Sequence, residues 1–261
     1  MPKFDANLSM MFNEVAFLER FGRAARAGFG GVEFLFPYEH PKAEIKAALA
    51  VNALELVLFN MPPGDWAAGE RGLACHPGRE AQFRDGVKLA LDYATFLGLP
   101  RIHCMAGIAP AGVPREVAMR TLVDNFRFAA HECHAAGITL LTEPINDRDI
   151  PGYFLNTSAD GIGVIDAVGS DALKLQYDVY HMQIMEGDLA PTMQALLPRI
   201  GHMQIADTPG RHEPGTGEIH WPFLFAHMDR IGYAGWVGCE YRPAGVTEDG
   251  LGWAKDWLAP A

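Results

Sequence analysis

Eight times along this chain a short apolar run, bounded by turn residues, gives way to an amphipathic stretch, with no low-complexity linker or break in composition between repeats. The candidate strands are Phe4 to Leu8, Gly31 to Phe36, Leu54 to Asn60, Arg101 to Met105, Ile138 to Glu143, Leu173 to Asp178, Ile200 to Ile205, and Trp236 to Glu240. Runs this short, without a polar alternate face, suit strands buried on both sides, as in a parallel sheet covered by helices. Helical stretches are expected after each strand. In the first of them, Asn13 is the expected cap, Phe17, Leu18, Phe21, Ala24 and Ala25 share one face, and Gly28 is the expected stop. Glycine marks the return from helix to strand again in FLGLPRIH, AAGITLL and IGYAGWVG, which suggests one supersecondary unit used repeatedly. Eight such units favour an α/β fold closed into a single (β/α)₈ TIM barrel over an open doubly wound sheet. The length of 261 residues matches the roughly 250 that one barrel domain needs, so residues 1–261 are expected to form one domain. No GxGxxG follows an early strand, which removes the main signal for a dinucleotide site.

Composition narrows the function classes. No apolar run approaches the ~20 residues of a membrane helix, so no membrane partner is expected. The start, MPKFDANLSMMF, lacks the basic and continuous apolar stretches of a secretory leader, and a cytoplasmic protein is expected. A net charge of -11 argues against a nucleic-acid partner, because phosphate backbones are held by clustered Lys and Arg. A small anion is still compatible, since charges beyond a Debye length of about 8 Å are screened and two local arginines outweigh a distant acidic surface. The four cysteines form no CxxC pair and read as reduced, structural thiols. His131 and His134 flank Cys133, but nothing supplies the remaining ligands of a zinc site. Assembly into a homo-oligomer is left open by the sequence.

Four of the expected strands end in an oxygen-bearing side chain: Glu143, Asp178, Gln204 and Glu240. They lie 35, 26 and 36 positions apart, roughly one strand-helix unit each, so parallel strands would bring them to one rim. Three carboxylates converging without a cation would repel one another until one took up a proton, whereas a divalent ion resolves the conflict. An all-oxygen set of three carboxylates and one amide suits Mg²⁺ or Mn²⁺. One loop, Met61 to Gly78, is unusually long and rich in Pro and Gly, and after strand 3 it would lie on the same face. Trp66 is its expected apolar lid and Arg71 an expected contact for a substrate carboxylate.

The motifs around these positions are TEPINDRDIPGY, QYDVYHMQ, HMQIADTPGRHEPGTGEIHW and GCEYRP, joined by DANLSMMFNE, NMPPGDWAAGERG and IHCMAG. Over essentially its whole length the chain resembles the hydroxypyruvate isomerase family, within the larger group of barrels similar to xylose isomerase and sugar epimerases. The resemblance implies a divalent ion on Glu143, Asp178, Gln204 and Glu240, with Glu143 and Glu240 also the proton donor and acceptor. Related epimerases commonly carry a His where this chain has Gln204, which lowers the case for zinc.

The implied reaction converts hydroxypyruvate to 2-hydroxy-3-oxopropanoate: a carboxylate base removes the proton between carbonyl and hydroxyl, and the proton returns to the neighbouring carbon. His181, three residues past Asp178, is an expected hydrogen-bond partner of a substrate oxygen, and His103 after strand 4 a substrate contact. Arg148, Arg211 and Arg242 follow strands 5, 7 and 8, within expected reach of a carboxylate. Glu33 and Asn60 complete the ring with less force. The same chemistry on a roomier pocket would isomerise 2-oxotetronate, and sequence pattern does not separate the two; a ketose epimerase is a further alternative. A related apurinic-site endonuclease would need more histidines, including an Asp-x-His after strand 7, where this chain has GRHEPGTGEIH. A barrel that binds a metal or sugar acid without turning it over is the non-catalytic reading.

Overall fold

A computed structural model describes residues 1–258. Its eight strands are β1 (Lys3–Asn7), β2 (Gly31–Phe34), β3 (Glu55–Asn60), β4 (Arg101–His103), β5 (Thr139–Thr142), β6 (Leu173–Asp178), β7 (Ile200–Ile205) and β8 (Trp236–Cys239). They close in sequence order into a barrel, every neighbouring pair parallel and β8 pairing back onto β1. Around it stand α1 (Phe17–Arg26), α2 (Lys42–Val51), α3 (Glu80–Leu97), α4 (Arg115–Ala135), α5 (Ser158–Val168), α6 (Val179–Met185), α7 (Leu189–Leu196) and α8 (Trp221–Arg230). The expected alternation is therefore present, with three differences, the first being that two helices, α6 and α7, follow β6. After β8 comes a 3₁₀ segment, Glu248–Ala254, rather than an α-helix; Pro243, Gly245, Gly250 and Gly252 make a regular helix there costly. Helix α1 starts at Phe17 without a side-chain cap, because Asn13 turns its amide to the carbonyl of Met10 at 2.7 Å instead.

The main hydrophobic core lies between barrel and helices. Phe21 and Ala24 of α1 are buried in it, and Phe83, Val87, Ala90 and Ala94 of α3 form the 3.6-period face that meets it. Glycines end helices where expected: Gly98 adopts φ 75°, Gly137 70° and Gly232 78°, a conformation that other residues adopt at a cost. All four cysteines are buried and unpaired. Among the described residues no helix is long and apolar enough to cross a membrane.

The barrel interior is polar, and the strand period of two sets its layers. Asp178 and Gln204 are register partners at the C-terminal ends of β6 and β7, and one pleat lower Gln176 pairs with His202. Asn7 pairs with Glu33 across β1 and β2, with Asp5 one pleat below Asn7. Register shifts occur between Val32 and Glu33 and between Leu175 and Gln176, the points at which these strands turn polar side chains inward.

Candidate active site

Glu143 immediately follows β5, Asp178 ends β6 and Glu240 immediately follows β8, so parallel strands deliver three carboxylates to one rim. With His181 from the first turn of α6 they form a buried cluster in which each residue offers one ligand atom and these atoms lie within 4.8 Å of one another. Each oxygen has a traceable assignment. Asp178 caps α6, its Oδ1 accepting from the Tyr180 N–H at 2.8 Å, while Oδ2 is buried with no hydrogen-bond partner. Glu143 Oε2 accepts from Gln176 Nε2 at 3.1 Å, and Oε1 is likewise buried without a partner. Glu240 accepts from Asn7 Nδ2 at 3.3 Å on one oxygen and from Arg211 Nη2 at 2.5 Å on the other. Buried acceptors normally find donors. Two orphaned oxygens beside a third carboxylate are the donor set of a hard divalent cation, so these residues fit a metal.

The electrostatics agree. Burial, then the charges of Glu240 and Asp178, drive the Glu143 carboxyl well above the ordinary range. Burial also pushes Asp178 up to about 6 and Glu240 up to about 8, in both cases against the attraction of Arg211. Without a cation the cluster holds protons near neutrality that a divalent ion would expel.

His181 has a defined role in hydrogen bonding. Asn146 Oδ1 accepts from the backbone N–H groups of Arg148 and Asp149 at 3.0 and 2.8 Å, which fixes its amide so that Nδ2 donates to His181 Nδ1 at 2.6 Å. An accepting Nδ1 leaves the proton of the neutral ring on Nε2, which lies 3.5 Å from Asp178 Oδ2 and 3.8 Å from Glu143 Oε1. Burial and the charge of Arg211 hold its pKa well below the usual histidine value, so the ring stays neutral. His181 is therefore an N–H donor aimed at the cluster rather than a lone-pair ligand.

The other sequence candidates fall at graded distances. Gln204 sits at the rim end of β7, where its Oε1 accepts from Gln176 Nε2 at 2.6 Å and its Nε2 donates to Glu33 Oε1 at 2.7 Å. One lone pair of Oε1 stays free of these bonds. His103 lies 3.7 Å from Glu143 Oε2, and burial lowers its pKa to about 3. A cavity of about 780 Å³ opens over the cluster, lined by Glu143, His181, Glu240 and Arg211, with Trp66 and Arg242 also on its wall. Trp66 is half exposed and leans on Phe36 with ring centroids 5.2 Å apart. Arg71 stacks on Trp66 at 3.7 Å and donates to the carbonyls of Trp66 and Glu70, so part of its hydrogen-bonding capacity braces the loop; it too faces the cavity. Arg148 is exposed and is not among the residues lining the cavity.

Residues that the sequence reading passed over tie the site together. Asn7 links Glu33 to Glu240, Gln176 links Glu143 to Gln204, Asn146 sets the His181 tautomer, and Asp149 holds Arg211 from outside at 3.2 Å. Gln176 had a legible signal, since it stands two residues before Asp178 and must share its face. Asn7 and Asp149 had none, because their partners lie 233 and 62 positions away.

Beneath lies a second buried group, Asp5, Glu33 and His202. Burial works against ionised Glu33, yet the hydrogen bond and charge of His202 at 2.8 Å, then bonds from Gln204 and Asn7, hold its pKa low. Burial and the Glu33 charge drive Asp5 far the other way.

Comparison with known proteins agrees with this architecture. A family model described as xylose isomerase-like TIM barrel matches residues 21–257. A 2-oxo-tetronate isomerase of Cupriavidus necator is 55% identical over 99% of both chains, and a hydroxypyruvate isomerase of Escherichia coli is 54% identical over 97% of this chain and 98% of its own. The crystal structure of an AP endonuclease, family 2, from Brucella melitensis superposes with a TM-score of 0.97 at 50% identity, covering 99% of this chain and 100% of that one. The chain belongs to the xylose isomerase-like TIM barrel family, in kinship with both hydroxypyruvate isomerases and 2-oxo-tetronate isomerases.

Proposed function

We propose that this chain is a metal-dependent isomerase of a short 2-oxo acid with a hydroxyl on the adjacent carbon, 2-oxo-tetronate being the favoured substrate and hydroxypyruvate the second reading. The observation that carries the proposal is the pair of orphaned oxygens, Glu143 Oε1 and Asp178 Oδ2, beside Glu240 at the floor of a cavity on the C-terminal rim. That rim is where barrel enzymes of this kind do their chemistry. The four-carbon acid is favoured because relatives from Cupriavidus necator, at 55% identity, and Haemophilus influenzae, at 45%, are 2-oxo-tetronate isomerases, and a cavity of about 780 Å³ has ample room for it. The 54% identity to a hydroxypyruvate isomerase keeps the three-carbon acid close behind. Endonuclease activity is disfavoured by the net charge of -11 and by a rim cluster with one histidine.

Glu143, Asp178 and Glu240 would hold the ion, Mg²⁺ or Mn²⁺, with the remaining lone pair of Gln204 a fourth oxygen. A bound divalent ion supplies positive charge to the substrate's carbonyl and hydroxyl oxygens while they become more negative. One of the two glutamates, Glu143 or Glu240, removes the proton from C3, and the other delivers a proton to C2. The hydroxyl proton moves from O3 to O2, so 2-oxo acid becomes 3-oxo acid with all atoms retained. His181 Nε2–H stabilises the substrate oxygen that gains charge. The wall arginines receive the carboxylate, and Trp66 restricts water.

Each acid, incubated with the protein and Mn²⁺ in heavy water and followed by proton NMR, tests the proposal. Deuterium should enter at the carbon that receives the proton, with the 3-oxo product accumulating faster from 2-oxo-tetronate. No exchange and no product from either acid, with Mg²⁺ also tried, overturns the isomerase reading. Faster turnover of hydroxypyruvate reverses the order of the two substrates.

A further inference from the structure

A cation belonging to the chain already stands among the cluster's oxygens. Arg211 Nη2 lies 2.5 Å from Glu240 Oε2, 3.7 Å from Asp178 Oδ2 and 3.4 Å from His181 Nε2. Glu240 and Asp178 are two of the three clustered carboxylates proposed to hold the ion. The other end of the same guanidinium, Nη1, reaches Asp149 Oδ2 at 3.2 Å on the outer side. Its Cζ stands 4.9 Å from the centroid of the Tyr180 ring, and Tyr180 itself donates its hydroxyl to Asp149 at 3.3 Å. Arg211 lines the cavity, and its Nε is buried without a partner. So the guanidinium is held from two ends, one inside the metal's ligand set and one outside it.

Nη2 hydrogen-bonds Glu240 Oε2 and sets its charge 3.7 Å from the unpartnered Asp178 Oδ2, so a divalent ion entering among these oxygens competes with Nη2 for Glu240 Oε2 and meets a like charge at close range. We infer that Arg211 holds the ion's place in the metal-free chain and yields it on metal entry, Nη2 leaving Glu240 and Asp178 while Nη1 keeps Asp149, so that the freed face of the guanidinium receives the substrate carboxylate. The inference rests on the metal site proposed above and adds to it an order of events. Metal must precede substrate, because the acid gains its arginine only once the ion has displaced it. Asp149 is then a positioning residue: it sets how easily the guanidinium leaves the cluster.

Mn²⁺ binding to metal-stripped full-length protein, read from the free-ion electron paramagnetic resonance signal, tests this without reference to activity. The comparison is wild type, Arg211→Met, Asp149→Asn and the double variant. If the ion-competent arrangement makes up about a tenth of the wild type, Arg211→Met binds Mn²⁺ about tenfold more tightly. Asp149→Asn binds several-fold more weakly, because the guanidinium loses its outer anchor. In the Arg211→Met background the Asp149→Asn change adds nothing, since Asp149 acts through the arginine. Arg211→Lys, whose single ammonium cannot span Glu240 and Asp149 together, falls between wild type and Arg211→Met, and it stands in if the Met variant does not fold. Equal affinities of wild type and both Arg211 variants overturn the inference and leave the metal site standing. An undiminished Asp149→Asn effect in the double variant also overturns it, because Asp149 would then act through its own charge. Absence of Mn²⁺ binding in all four proteins removes the metal site and the inference with it.

Discussion

Two buried acidic clusters lie one above the other in the same barrel, and they differ in access rather than in composition. The upper one, Glu143, Asp178, His181 and Glu240, opens to the cavity; the lower one, Asp5, Glu33 and His202, contributes no residue to the cavity wall. In the upper cluster, two carboxylate oxygens have no donor. In the lower, Glu33 is fully engaged, accepting from Asn7 and Gln204 on one oxygen and bonding His202 on the other, while both oxygens of Asp5 beside it are without a donor and its carboxyl is driven towards the neutral form. Burial and charge alone therefore do not make a reactive site. Both leave two carboxylate oxygens without a donor; what separates them is that those of the upper cluster lie beside the cavity, whereas in the lower one Glu33 is satisfied internally and Asp5 is away from the cavity wall.

The comparison breaks most visibly at Glu240. Replacing it with Gln should lower turnover of the preferred acid by about 10²–10⁴-fold, the usual worth of a positioned proton carrier, with circular dichroism unchanged. Asp5→Asn should leave turnover within about threefold of wild type, because that carboxyl touches no substrate; a comparable loss there would mean that the clusters act as one unit. The metal response is the next effect in size. Saturating Mn²⁺ at about 100 times its dissociation constant should stabilise the protein by about 2.7 kcal/mol, and the titration should end at one ion per chain. Two ions would show the lower cluster to be a site as well. The sign of the pH dependence follows from the raised carboxyls. Glu240 at about 8 and Asp178 at about 6 bind more protons folded than unfolded, so the stability they contribute is complete below pH 4 and is lost as pH rises through those values. Mn²⁺ replaces those protons, so its gain in melting temperature should be larger at pH 8 than at pH 5.5.

The fold was legible because strand spacing and glycine exits are local signals. Six of the eight expected strands differ from the observed ones only at their ends, and β6 and β7 agree at both. The same register logic made Glu143, Asp178 and Glu240 readable as a group, since parallel strands of similar length must end together. What stayed hidden was what each side chain does there. Gln204 reads from sequence as a fourth oxygen ligand, but its bonds to Gln176 and Glu33 on other strands, which leave one lone pair of Oε1 for that role, could not be read there. Arg71 reads as a contact for a substrate carboxylate and does face the cavity, but its stacking on Trp66 and its bracing of the loop were not legible. Asn13 reads as a cap and instead bonds a carbonyl three residues earlier. Hydrogen-bond partners at long sequence separation leave no periodic trace, and the whole lower cluster is made of such pairs: Glu33 meets Asn7, His202 and Gln204 across 26, 169 and 171 positions.

The smaller effects test the lower cluster by itself. Glu33→Gln should destabilise the protein by about 2 kcal/mol, since donors from His202, Gln204 and Asn7 lose an anionic acceptor and hydrogen bonds to charged groups are each worth about 1.5–3 kcal/mol. Asp5→Asn should act in the opposite direction and only at high pH. The folded pKa of Asp5 is raised, by burial first and by Glu33 second, so folded protein holds a proton there that unfolded chain releases. Between the unfolded value and the raised one, stability falls as pH rises. An amide keeps the shape of the neutral acid without that dependence. Urea midpoints should therefore coincide for wild type and Asp5→Asn at pH 3.5, with the variant more stable by on the order of 1 kcal/mol at pH 8. A variant less stable at pH 8 would mean that Asp5 is ionised in the folded barrel, which only a cation between Asp5, Glu33 and His202 would allow, and the two clusters would then differ in depth rather than in kind.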